Sequence, residues 1–242
     1  SIRPRDAVSR DALALLAEWD GVLGADSVAA AVFELLLAEI DRRDVVAQAP
    51  KAGHSVLGAD IGGLGQSNLL AFRRAGRMSR LLREGPSDRA LDDWANLLSD
   101  ALQAVVARLS ALAGADPDGW RWGRLRLLVL EHPVGRKWPL HKVFNIGPAP
   151  FGGDTNTVAQ AAVDPLDPLA NPMVIPSLRC VMDVGDFDRS TFVLPGGQSG
   201  NPFSSHYRDM YPLWLRGEGV PIPWSADEVG RATVDTMLLE PQ

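Results

Sequence analysis

Fourteen of the chain's eighteen prolines lie beyond Gly119, and that asymmetry limits the fold more than any single motif does. Proline breaks helix interiors and central strands, because it lacks the backbone donor and fixes its own φ. Long helices therefore belong before Gly119, and short strands joined by ordered loops belong after it.

The first part carries the helical signals. The spacing predicts a short helix over residues 9–20, with Ser9 as N-cap and Leu13, Leu16 and Trp19 on one face. Asp26 or Ser27 caps a second helix, AAAVFELLLAEIDRR, whose Ala and Leu content favours the helical state. Five glycines between Gly53 and Gly65 read as a loop, and Ser67–Leu82 as a shorter helix. Ser87 caps the strongest helix, in which Leu91, Trp94, Leu98, Leu102, Val105, Leu109 and Leu112 recur in steps of three and four. Gly114 sits where a helix-ending glycine belongs. Beyond Gly119, Arg124–Leu130, Leu178–Val184 and Thr191–Leu194 read as strands. The expected class is α+β: a mainly helical segment 1–118 and a strand-and-loop segment 119–242, packed as one unit, with helices against antiparallel strands and long ordered loops.

Composition excludes several functions. The chain has 242 residues, 46% of them apolar and 22% charged, as a chain with a real core requires. A formal charge of −6 leaves no basic footprint for nucleic acid. A lone cysteine, Cys180, rules out an internal disulfide and a cysteine-based zinc site. No apolar run approaches the ~18 residues that a membrane span needs. The N-terminal SIRPRDAVSRD has no signal-peptide core.

The stretch Arg179–Trp214 concentrates the candidate chemistry. It opens as an apolar run, halts at Pro195-Gly196-Gly197, and continues through a Gly/Ser/Asn/Pro-rich tract containing Phe203, Tyr207, Tyr211 and Trp214. Such aromatics call for burial, so the loop is expected to pack onto something. Gly196-Gly197-x-Ser199-Gly200 lacks the lysine of a phosphate loop and the strand–helix setting of a nucleophile elbow. Its glycines are expected to supply positive φ at a tight corner. His54, His132, His141 and His206 show no metal-binding spacing; His132 and His206 suit loop-bracing hydrogen bonds. Gly152-Gly153-Asp154-Thr155-Asn156-Thr157 reads as an Asx-turn with hydroxyl bracing that could also line a pocket. Asp186 and Asp188 fall in a turn. Asp183 stands inside an apolar strand between Met182 and Val184, where a carboxylate needs a partner, structural or functional. Ser1 leads straight into a helix, which argues against an N-terminal nucleophile.

The tract GQSGNPFSSHYRDMYPLW, followed by a Pro-rich turn and WSADEV, resembles the C-terminal end of the penicillin acylase family. Glu18-Trp19-Asp20-Gly21, Trp122-Gly123-Arg124, His132-Pro133 and GPAPFGGDTNTV extend the resemblance in consistent order. It implies a four-layer αββα N-terminal-nucleophile hydrolase that cuts the amide bond of N-acylated amines such as penicillins or acyl-homoserine lactones. Family members mature by self-cleavage into two chains, the larger beginning S-N-x-W. That motif and the family's oxyanion asparagine do not occur here, so this chain resembles the last part of the larger chain and is expected to be inactive alone. Met182-Asp183-Val184-Gly185 is similar to a segment of the glutaryl acylases whose carboxylate pairs with an active-site histidine. The resemblance thus implies that Asp183 orients a histidine supplied by the rest of the protein. It implies no cofactor in this chain, the family's structural calcium being held by regions absent here. The implied partners are the remainder of the parent acylase or its smaller chain and a small-molecule amide, with no nucleic acid or membrane. The parent is expected in the periplasm or outside the cell. The other reading is a free-standing, non-catalytic binding module.

Overall fold

The computed structural model describes residues 2–53, 57, 75–164, 167–172 and 174–240. Ser1, His54 and most of the Gly53–Gly65 and Ser67–Leu82 expectations lie outside the described residues. Of the latter expectation, residues 75–82 are described, and they lie in a helical segment that continues to residue 84. The chain divides into two compact units: Ser1–Val129 with Gly147–Ile175, and Leu130–Ile146 with Pro176–Gln242.

Three of the helices among the described residues carry the core of the first unit. α1 (Ala7–Ala17) is capped by Asp6, whose side chain accepts from the Ser9 backbone N–H. Ser9, the expected cap, lies inside the helix and is buried. α2 (Val28–Gln48) starts at Ser27, whose hydroxyl accepts from the Ala30 N–H. α3 (Leu91–Ala113) begins after Ala90 without a side-chain cap, so Ser87 does not serve there. Gly114 follows it at φ 88°, a value that favours glycine.

The period of α3 produces the core. Trp94, Leu98, Leu102, Val105 and Leu109 are buried, and they pack with Val32, Leu35, Leu36 and Ile40 of α2, Ala12 of α1, Met78 and Trp120. Each such aliphatic side chain contributes roughly 1.5–3 kcal/mol through burial. Only the first and last members of the row, Leu91 and Leu112, are exposed. Asp44 is fully buried beside this core and fully satisfied. Arg77 and Arg89 (2.6 Å) donate to it, and Gln48 adds two more hydrogen bonds at 3.0 and 3.1 Å.

Three short segments stack against the N-terminal end of α2. Trp122 and Gly123 donate to the carbonyls of Ser27 (3.0 Å) and Ala25 (2.7 Å), and Gly153 donates to Leu23 (2.7 Å). A Cβ on Gly123 would meet the Ala25 Cβ at 2.7 Å, and one on Gly152 the Leu23 carbonyl at 2.5 Å. Backbone therefore passes close to backbone, and only glycine fits. Arg124–Leu130 divides into a helical turn, Trp122–Leu125, and then β1 (Leu127–Leu130), which pairs with β2 (Ile146–Pro150).

The second unit contains a three-stranded antiparallel sheet in the order β3–β4–β5: Arg179–Val181, Thr191–Val193 and Val220–Pro221. Arg179 faces Val193, Cys180 faces Phe192, and Phe192 faces Val220. β3 stops at Val181 because the chain turns at Asp183, so Asp183 is not a residue of a buried strand. Two short helices, Tyr211–Arg216 and Ala226–Ala232, occupy stretches whose sequence pattern reads as loop. The class is mixed helix and sheet.

Candidate functional site

In the second unit the Gly196–Trp214 tract forms a clasp. Met210 N–H donates to the Gly196 carbonyl and Ser199 N–H to that of His206, each at 3.0 Å, which closes the loop on itself. Gly197 does not have the expected positive φ. Its requirement is steric: a Cβ there would meet the His206 carbonyl at 2.1 Å and Asp209 Oδ1 at 2.5 Å. Tyr207 is buried and donates its hydroxyl to the Phe144 carbonyl. Trp214 is wholly buried, donating Nε1–H to the Pro176 carbonyl at 3.2 Å. The Arg179 guanidinium lies 4.1 Å from the Trp214 ring centroid and donates to its carbonyl at 2.6 Å. Burial lowers the Arg179 pKa. Phe203, expected to be buried, is 86% exposed.

The clasp borders an open cavity of about 620 Å³ lined by Gln198, Ser199, Ser204, His206, Asp209 and Met210. His206 Nδ1 is 2.8 Å from Asp209 Oδ2. The hydroxyls of Ser199 and Ser204 accept backbone N–H groups from Asn201 and His206. These side chains brace turns, as His132 does by accepting from Val134 N–H.

Asp183 follows β3, with its side chain one-third exposed. Oδ1 accepts from the N–H groups of Gly185 (3.0 Å) and Asp186 (3.3 Å), while Oδ2 faces Arg189 Nε at 3.4 Å. Its own N–H donates to Ser190 Oγ. The carboxylate is thus held in orientation by a turn, with one oxygen directed to a largely exposed arginine. Asp186 caps the helical turn Phe187–Arg189. Asp188 accepts from Ser225 and Trp224 N–H groups, which hold its pKa below the usual carboxylate range.

The first unit contains a second site, whose Asp154 wall is expected from the sequence but whose Glu34 and Arg126 are not. Glu34 of α2 is 5% exposed, and its Oε1 has no hydrogen-bond partner among the described residues. Burial pushes its pKa up to about 8; the charge of Asp154 adds to the rise, and Arg126 opposes it. Arg126 is 2% exposed, donates to the carbonyls of Gly153 (3.2 Å), Ala161 (2.6 Å) and Ala162 (3.2 Å), and stacks at 4.9 Å from the Trp122 ring. Burial brings its pKa down to about 10, against the pull of Glu34 and Asp154. Trp122 Nε1–H shares the Gly153 carbonyl.

The Gly152–Thr157 stretch supplies the other wall. Asp154 Oδ1 accepts from Asn156 N–H at 2.8 Å in an Asx-turn, and Thr157 Oγ1 accepts from Asp154 N–H at 2.9 Å. Both expected features, the braced turn and the pocket lining, occur together. The cleft has a volume of about 80 Å³.

The chain belongs to the penicillin amidase family, whose sequence model matches residues 2–231. It is 28% identical over 236 residues to the acyl-homoserine lactone acylase QuiP of Pseudomonas putida KT2440, covering 93% of this chain and 27% of that protein. It is 31% identical over 150 residues to penicillin acylase 2 proenzyme of Pseudomonas sp. SE83, covering 61% of this chain and 18% of that protein. Among solved structures, a thermostable penicillin G acylase from Alcaligenes faecalis aligns at a TM-score of 0.48 and 20% identity, over 99% of this chain and 44% of that one. The chain spans about a quarter of the length of curated relatives such as QuiP. The family expected from the GQSG tract is therefore the family found.

Proposed function

We propose that this chain is the C-terminal part of the larger chain of a penicillin-acylase-like amidohydrolase, one that hydrolyses the amide bond of an N-acylated amine of penicillin or acyl-homoserine-lactone type. The observation that carries the reading is the family match over residues 2–231, joined to relatives named for acylase activity. In this reading the unit is part of a four-layer αββα body. The serine nucleophile, which uses its own α-amine as base, and the oxyanion donor come from the rest of the parent. The parent's structural calcium is assigned to that remainder, and its location to the periplasm or the cell exterior.

Large apolar side chains exposed on the second unit support a covering remainder. Trp138, Val181, Val184, Phe203 and Trp224 are each at least 60% exposed, and a covering remainder would take such side chains out of water.

Asp183 is the residue of this chain assigned to the chemistry: it orients a histidine of the remainder so that the base and the developing charge stay aligned. In the complete protein, Asp183→Asn lowers kcat on an N-acyl amine by on the order of 10²-fold or more while KM moves little. Steady-state amine release measures this; unchanged kcat would remove Asp183 from the mechanism. Absence of amine release from the complete protein on every N-acyl amine tested would remove the function itself.

A further inference from the structure

No role in the proposed hydrolysis has been assigned to the Glu34 cleft, and although Arg126 attracts Glu34 it does not hydrogen-bond the buried Oε1. A buried carboxyl ordinarily has its oxygens satisfied, because an unmet polar atom costs on the order of 1–3 kcal/mol. Glu34 lines the cleft, and its Oε1 is buried and unmatched among the described residues. Asp154 and Asp41 stand on the same cleft, so three carboxyl groups border it, of which Asp41 is engaged by Arg77. Beside them Leu37, Met78 and Val163 form an apolar wall.

We infer that this cleft binds a primary alkylammonium group, its N–H donors taken by Glu34 and Asp154 and its alkyl stem laid on Leu37, Met78 and Val163. The size agrees. At about 30 Å³ per water, the 80 Å³ cleft has room for two or three water-sized groups. That suits an ammonium with one or two carbons and is tight for a planar guanidinium fork. An ammonium is a compact point charge with three donors, which suits carboxyl acceptors lining one small cleft. A metal is a poorer fit, since no group of three or more His, Cys, Asp or Glu among the described residues is placed to hold one.

Binding is coupled to a proton. Glu34 is faced by Arg126 and by Asp154, and Asp41 of the same helix lines the cleft with its charge engaged by Arg77 at 2.8 Å. Without a bound cation Glu34 carries its proton at neutral pH, because its pKa lies at about 8. A cation takes the carboxylate, so binding at pH 7 releases a proton, and the apparent affinity falls about tenfold for each pH unit below that value.

The test uses methylammonium chloride, with tetramethylammonium, acetamide and sodium chloride at equal concentration, on the wild-type chain and on Glu34→Gln. Glutamine keeps the size of a carboxyl that is already neutral at pH 7, so the variant folds. Calorimetric titration of the wild type at pH 8 gives saturable methylammonium binding. The apparent Kd is about tenfold weaker at pH 6 than at pH 7, and the heat at pH 7 depends on the buffer's ionisation enthalpy as proton release requires. Glu34→Gln abolishes the binding, and the three control solutes give none. No methylammonium binding, equal binding by acetamide or tetramethylammonium, or a Kd independent of pH and of Glu34 would each overturn the inference.

Discussion

Trp214→Ala unfolds the second unit at far lower denaturant than the native chain tolerates, with a loss of about 3–5 kcal/mol. Three effects coincide at this residue. The indole is completely buried, its Nε1–H is spent on the Pro176 carbonyl, and the Arg179 guanidinium stacks on its ring. Removing the ring opens a cavity, strands the Pro176 carbonyl and leaves a half-buried cation without its π-face. Trp214→Phe separates these contributions, because it keeps an aromatic surface and loses only the donor and part of the volume. It costs about 1–2 kcal/mol. Urea unfolding of the three proteins measures both values. Equal, small losses would mean that the clasp is not packed as described.

Glu34→Gln has the second large effect, and its sign is unusual for a buried acid. The ordinary value for this carboxyl is 4.5, and in the folded chain it stands at about 8. Between those values the native state retains a proton that the unfolded chain has released. Stability therefore falls as pH rises through this window; the penalty is absent below the lower value and complete above the upper one. The full penalty is on the order of 5 kcal/mol. Glutamine does not titrate, so the variant gains on the wild type by about that amount between roughly pH 5 and pH 8.5. At the acid end the two are nearly equal in stability. Denaturation curves at several pH values follow the gap, and a gap that did not change with pH would show that Glu34 is not held neutral.

Glu34 and Asp183 also show how far the sequence could be read. Each is an acid set between apolar neighbours, Phe33 and Leu35 for one and Met182 and Val184 for the other. The pattern draws attention to Asp183, because two-residue periodicity makes an interior strand residue look buried. The strand ends at Val181, and a turn brings the side chain partly into solvent. In α2, by contrast, the Ala- and Leu-rich run is buried on several faces, so that even Glu34 lies in the interior. Its partners, Arg126 and Asp154, are remote in sequence, and no local rule brings them together. The α3 core row was legible because one face of a regular helix is a local property. Its cap was not, since the chain between Ser87 and Leu91 follows tertiary contacts such as the Arg89–Asp44 ion pair. The glycines of the clasp were visible as glycines, but their reason was not: Gly197 admits the His206 carbonyl, an approach that depends on the completed loop.

In the function proposed above, this chain serves amide hydrolysis only together with the rest of an acylase. The direct measurement is amine release from an N-acyl-homoserine lactone and from a penicillin, by this chain alone, by the remainder of the parent alone, and by the two together. The expected result is release from the combined protein and none from either part. Amine release by this chain alone, or full activity of the remainder without it, would overturn the proposed function.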